Sequence, residues 1–163
     1  MRARSASLVL LCGAALACGL AAAPGAGAAG SARCAPRAST IDDHHAISYC
    51  GPATVTIDLG GRTYRFHGGR CDVSRTVRGL ALDVGTLVAG AAGNAGRPFV
   101  SLVIAHSPSE SDAFAADSGG QQLFADTVLV PGGPLYGQGT FESEFGVAFS
   151  GTWDCHGAIY FGP

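Results

Sequence analysis

The chain has 163 residues, 25 of them glycine, with 47% hydrophobic and only 13% charged residues and a formal net charge of −2. This length fits one domain, and the lack of a basic stripe to neutralise phosphates excludes nucleic acid as an expected partner. After the N-terminal segment no apolar run approaches the ~20 residues of a membrane span.

The first element is an export signal. Arg2 and Arg4 form a short positive region, and an apolar stretch opens at Ser7-Leu-Val-Leu-Leu11 and continues through Ala17. Small-residue cleavage options such as Ala26-Gly27-Ala28 follow, so residues 1–28 read as a signal peptide. Within it, Ala15-Leu16-Ala17-Cys18-Gly19 resembles the bacterial lipobox, although Ala15 stands where leucine is usual. If Cys18 carries diacylglycerol, the signal is residues 1–17 and the chain is held at the outer face of the membrane through that lipid. Cys12, directly after Leu11, fits the pattern less well. We favour Cys18 because the tether it needs is present: Pro24 to Ser31 is almost entirely Ala, Gly and Pro. The competing expectation is ordinary cleavage near Ala28.

Residues 29–50 read as a linker followed by a disulfide-tied N-terminal segment, and residues 51–163 as the β domain. Four cysteines follow the signal: Cys34, Cys50, Cys71 and Cys155. An even number in an exported protein implies bridges, with three connectivities open. The favoured pairing is Cys34–Cys50, tying the N-terminal segment to the start of the domain, with Cys71–Cys155 joining an early strand to the last. In the chain-entropy model the second loop is worth about 4–5 kcal/mol. No C-x-x-C pair occurs, so neither a zinc site nor a redox dithiol is expected.

Within the domain, Val55, Ile57 and Leu59 alternate, Gly60-Gly61 supplies a turn, and Tyr64 and Phe66 alternate on the return, which predicts a β-hairpin. Leu80 to Val84, Phe99 to Ile104 and Leu123 to Val130 are predicted as further strands, with turn signals at Gly93-Asn94 and Pro131 to Pro134. Ser107 to Ala116 is the one segment that invites a short helix, with Pro108 at its first position. From Phe141 to Cys155 the odd positions carry Phe141, Phe145, Val147, Phe149, Trp153 and Cys155, and the even ones are mostly polar or small. That alternation predicts half-buried strand with an aromatic inner face, and Gly146 and Gly151 mark a bulge or bend in it. The fold class expected is all-β: a small antiparallel sandwich or barrel with two disulfides.

Several motifs carry possible chemistry. Ala116-Asp117-Ser118-Gly119-Gly120 and Ile104-Ala105-His106 echo the serine and histidine motifs of chymotrypsin-like proteases. In that family the two residues come from different barrels with an Asp between them, whereas His106 and Ser118 are twelve apart. Asp42-Asp43-His44-His45 concentrates four potential metal ligands, but neighbours in an extended segment point to opposite sides. A solvated loop inside the Cys34–Cys50 ring is expected there, and no metal or cofactor. Cys155-His156 as a thiol and base is set aside in favour of a disulfide. Gly137-Gln138-Gly139 lacks the following helix of a phosphate cradle, and Glu142 with Glu144 reads as a solvated strand face.

These residues also carry a family resemblance. Val55-Thr-Ile-Asp58 with its Gly-Gly turn, Cys71 shortly after, Gly137-Gln-Gly-Thr140, and Phe149-Ser-Gly-Thr-Trp-Asp-Cys155 resemble the mycobacterial lipoprotein-antigen family over roughly Thr54 to Cys155. The resemblance implies a surface lipoprotein with a small β domain, a Cys71–Cys155 bridge and no enzyme activity. Cys34 and Cys50 stand outside the family pattern. All ten basic residues are Arg and none is Lys, which with the Ala and Gly abundance suggests a G+C-rich genome such as an actinobacterial one.

Three functional readings follow. The first is a non-enzymatic exported β domain anchored through Cys18, acting in surface contact or ligand capture. The second is a freely secreted binding or inhibitor protein cut near Ala28, presenting residues 131–139 as an exposed loop. The third is a small hydrolase drawing on His67, His106, Ser118 or His156, ranked last because no nucleophile–base–orienter set is visible.

Overall fold

A computed structural model describes residues 34–74 and 78–161. The signal segment, Cys18 and the linker as far as Arg33 lie outside the described residues. The chain forms β1 (Arg37–Ile41), β2 (His44–Ser48), β3 (Ala53–Leu59), β4 (Arg62–Ser74), β5 (Gly79–Val88), β6 (Phe99–Ile104) and β7 (Asp112–Ala116). It continues through β8 (Gln122–Phe124), β9 (Leu129–Pro131), β10 (Gln138–Ser143), β11 (Phe149–Asp154) and β12 (Ile159–Phe161). Two short 3-10 turns, Ala92–Gly96 and Pro108–Glu110, are the helical elements among the described residues.

Hydrogen bonding links the strands in the order β8-β7-β6-β5-β4-β3-β11-β10-β9. Neighbours along this path are antiparallel; β12 lies parallel to β4 with Ile159 opposite Cys71. The β1–β2 hairpin attaches where Ala46 to Ser48 pair with the far end of β5. β8 and β9 end the path on opposite sides, yet only residues 125–128 separate them in the chain. A connection that short reaches at most about 17 Å, so the sheet curls until its edges face each other as an open half-barrel. The Phe124 ring from β8 stacks on Phe149 of β11 at 4.2 Å, across the interior of the curl.

The inner face is the alternating apolar set expected of a sheet with one solvated side. Val55, Ile57, Leu80, Leu82, Leu102, Phe141 and Trp153 are all buried. Two reciprocal pairs make room for the largest of them. Trp153 lies opposite Gly139 and Phe141 opposite Gly151, and a Cβ on either glycine would run into the facing ring. Each aromatic thus covers a glycine on the neighbouring strand, a pairing that fills the inner layer without spreading β10 from β11.

Both favoured disulfides form. Cys34–Cys50 has a Cα–Cα distance of 5.7 Å, and Cys71–Cys155 one of 5.9 Å. The second pair is fully buried within the main core.

The β3–β4 hairpin is as predicted. Gly60 and Gly61 both take positive φ, 57° and 77°, the two-residue turn whose twist matches the flanking strands. Elsewhere the structure corrects the expectations. Ser107 to Ala116 is no helix: after one turn at Pro108–Glu110 the chain enters β7, because Asp112 to Ala116 pairs with the exposed edge of β6. Leu123 to Val130 is two strands rather than one, interrupted around Asp126, whose φ is 51°. Phe141 to Cys155 is also two strands. Gly146, at φ 85°, lies in the connection between β10 and β11, and Phe145 and Val147 are exposed there. Asp42-Asp43-His44-His45 is not a loop but the turn and first strand residues of the β1–β2 hairpin, with positive φ at Asp42 and Asp43.

The two bridges close loops of very different length, with sequence separations of 16 and 84. Replacing both Cys71 and Cys155 by Ala is expected to cost about 4–5 kcal/mol, and the Cys34/Cys50 double replacement about 3 kcal/mol. Denaturant unfolding of the two variants checks this ranking; an equal or reversed order contradicts it.

Candidate functional site

On the outer face, the registers of β10, β11, β3 and β4 line up in three cross-strand rows. The first is Gln138, Asp154, Thr54 and His67. The second is Thr140, Thr152, Thr56 and Arg65; the third is Glu142, Ser150, Asp58 and Thr63. All twelve positions are polar, because each alternates with an inward apolar or glycine residue. Two depressions run over this lattice, about 360 Å³ and 340 Å³ in volume. They share Thr140 and Thr152 and so form one trough. Thr54, Gln138 and Asp154 line one end with Pro134; Asp58, Glu142 and Ser150 line the other.

At the first end a chain of contacts fixes the side chains. The Asp154 Oδ1 accepts the His156 backbone N–H at 2.6 Å, and its Oδ2 lies 3.4 Å from His156 Nδ1. His156 Nε2 is 3.3 Å from the Thr54 hydroxyl. The local cause is the backbone: His156 takes φ 49°, and Ala158 N–H donates to the Cys155 carbonyl, so the chain turns sharply after the disulfide and folds the imidazole back over β3. Carboxylate, imidazole and hydroxyl thus occur in the order of a hydrolytic triad. A triad also needs donors aimed at a developing oxyanion. β3 and β11 are each paired on both sides, and the His156 N–H is taken by Asp154, so this face has no backbone N–H to spare from those strands. The contacts fix the hydroxyl, imidazole and carboxylate groups relative to one another.

A second polar cluster lies on the outer face of β4 to β6. Arg70 donates from Nε to both Asp72 carboxylate oxygens at 2.8 and 2.7 Å and from Nη2 to Oδ1 at 2.6 Å. Its guanidinium lies 4.2 Å from the centre of the Tyr160 ring. Asp83 faces Arg70 on one side and Ser101 on the other, and the Ser101 hydroxyl hydrogen bonds its carboxylate. Burial pushes the Asp83 carboxyl above its usual range, with Asp72 adding to the effect and Ser101 and Arg70 opposing it. Tyr49 is pushed up to about 12, first by burial and then by the charges of Asp83 and Asp72. Its ring stacks with Phe99 at 5.9 Å, and its neighbour Cys50 is bridged to Cys34. The Tyr49 N–H also donates to the Gly85 carbonyl at 2.9 Å, which with the β2–β5 pairing fastens the N-terminal segment to the sheet.

The remaining predicted residues do not converge. His106 follows the Ile104 end of β6, while Ser118 follows the Ala116 end of β7. Those are opposite ends of an antiparallel pair, which separates the two side chains by roughly 15 Å or more. Ser118 is exposed in a turn held by Asp117, whose Oδ1 accepts the Gly119 and Gln121 N–H groups at 2.8 and 2.9 Å. Among the described residues no three His, Cys, Asp or Glu side chains are grouped to hold a metal, His44 and His45 included. Glu142 is on β10, and Glu144 lies beyond its end. Of the four residues weighed for hydrolysis, two lie by Thr54: His67 is opposite it in the β3–β4 register, and His156 Nε2 is 3.3 Å from its hydroxyl.

Sequence reading missed Thr54, Arg70 and Asp83 as members of clusters. The signals available were an Arg-Cys-Asp triplet with both charges on one face of a core cysteine, and a lone Asp within the apolar Leu80 to Val84 run. No family model, curated protein or solved structure matches the chain.

Two titrations check the second cluster. Because folding raises the Asp83 pKa, the folded chain holds that proton more tightly than the unfolded one. The native state therefore loses stability as pH rises from about 3.9, the unfolded value, through the folded value, and the loss is constant above it. Melting curves of Asp83→Asn and the parent are expected to diverge in the variant's favour across that window and then run parallel; a gap independent of pH contradicts the assignment. Tyr49 should give one phenolate transition near pH 12 by ultraviolet absorbance, absent in Tyr49→Phe. The same raised pKa means stability falls between about pH 10 and that value.

Proposed function

We propose that this chain is an exported, surface-held domain without catalytic activity, tethered through a lipid on Cys18 and acting in contact or ligand capture. The observation that carries the reading is the pair of disulfides, one tying down the N-terminal segment and one inside the core. Such bridges persist in oxidising compartments outside the cytoplasm, which accords with export. The N-terminal pattern and the resemblance to mycobacterial lipoprotein antigens point the same way. Two features weigh against hydrolysis: His106 and Ser118 are far apart, and β3 and β11 leave no free backbone N–H beside the Asp154–His156–Thr54 chain on its open face.

Intact mass of the mature protein from a bacterial host that processes lipoproteins tests the tether. The expected product begins at Cys18 with diacylglycerol attached, and Cys18→Ser releases the chain or leaves it unprocessed. A mature N-terminus at Ala or Gly near position 28 without acyl mass overturns the anchor.

A further inference from the structure

We propose that the trough across β3, β10 and β11 binds a neutral, polyhydroxylated chain, an oligosaccharide or polysaccharide strand. The proposal deepens the ligand-capture reading and rests on it.

Four observations carry it. The trough is elongated, since its two depressions are continuous through Thr140 and Thr152, and it is open along its length. That shape admits an extended polymer rather than a compact metabolite. Its walls offer hydroxyls, the Gln138 amide and carboxylates, which are the donors and acceptors that sugar hydroxyls pair with. No Arg lines either depression, whereas Asp58, Glu142 and Asp154 do. An anionic ligand would therefore meet like charge.

A protein partner fits less well. Strongly bound protein interfaces centre on aromatic and other large side chains filling desolvated pockets, and the Arg65 and His67 side chains of the lattice stand on β4, outside the lining of both depressions. β3 and β11 are paired on both sides along the trough, so neither offers an incoming peptide strand a free edge. The apolar element that sugar rings use is a flat face for their C–H groups. Pro134 supplies one in the wall, and Tyr136, 43% exposed, stands in the same loop.

The site is also held in advance. Asp154 and His156 fix Thr54, and Thr63 donates to Asp58 at 2.5 Å. The loop before β10 is held through the Gly132 N–H on the Thr140 carbonyl at 2.9 Å and the Gly137 carbonyl on the Cys155 N–H. Polar groups already ordered lose less entropy when a ligand arrives.

Affinity electrophoresis of the mature protein through gels containing mannan, arabinan, a β-glucan or dextran tests the proposal, with pectin as an acidic polysaccharide and a polylysine peptide as comparison ligands. At least one neutral glycan is expected to retard the protein. Thr152→Trp, at an exposed position, fills the centre of the trough and should weaken retardation about tenfold or more. Ser39→Trp, exposed on β1 and outside the lining of both depressions, should leave it unchanged, and matching melting temperatures separate lost binding from lost folding. No retardation by any neutral glycan overturns the proposal. So does retardation that survives Thr152→Trp in a folded variant, or a preference for pectin or the basic peptide. None of these results touches the Cys18 mass measurement, so the ligand assignment and the surface tether fail independently.

Discussion

The structure depends on the way β11 serves two faces at once. Its inward positions hold Phe149, Gly151 and Trp153, and its outward ones Ser150, Thr152 and Asp154. Phe149 receives the Phe124 ring from across the curl at 4.2 Å, and Trp153 packs over Gly139. A side chain at Gly139 or Gly151 would displace an aromatic ring, and the inner layer could not close. The same pleat that buries these rings sets the outward residues on a regular spacing, with neighbouring strands about 4.8 Å apart. The polar lattice is therefore a by-product of core packing in its geometry, although not in its chemistry. Core packing asks only that those positions be non-aggregating, and their hydroxyl and carboxylate content goes further.

The two polar clusters differ in what covers them. Around Arg70, Asp72 and Asp83 the charges are partly withdrawn from water, and the shifts at Asp83 and Tyr49 record that burial. Such a cluster returns little net stability, because desolvation of the charges offsets their attraction. Its influence reaches the segment ending at Cys50 through the charges of Asp83 and Asp72 at Tyr49. The trough on β3, β10 and β11 has the opposite character. It is exposed, and its ordered contacts include Thr63 with Asp58 and Thr54 with His156. Its polar groups are open to an incoming ligand, whereas the Arg70 guanidinium is already engaged by Asp72 and the Tyr160 ring.

The legible parts of the fold were those in which the deciding partner is near in sequence. The Gly60-Gly61 hairpin is local, and so is the apolar run of β6. Ser107-Pro-Ser-Glu carries helix-start chemistry, yet β6 offers Asp112 to Ala116 an edge with five paired positions, and the edge prevails over a single turn. The alternation from Phe141 onward hid its own turn, because Phe149 is eight positions after Phe141, an even offset, and both sides stay in phase. The break near Asp126 is set by which sheet edges β8 and β9 reach, and nothing within residues 123–130 specifies that. The disulfides were legible as a preferred pairing among three, and the fold supplies the proximity that selects it.

The polar face was legible as polar and no more, since its meaning lies in registers between segments about a hundred residues apart. Thr54 and His156 are 102 positions apart and meet only because β3 is threaded between β4 and β11. The Cys71–Cys155 bridge underlies this meeting. It ends β11 at a fixed point, and the chain must turn at once to start β12 beside β4. His156 is the first residue of that turn, and its positive φ directs the imidazole back across β3 toward Thr54. The core cross-link and the shape of the candidate binding face are thus coupled through one residue. Reducing the bridge would free the turn, and with it the contact that holds Thr54 in place.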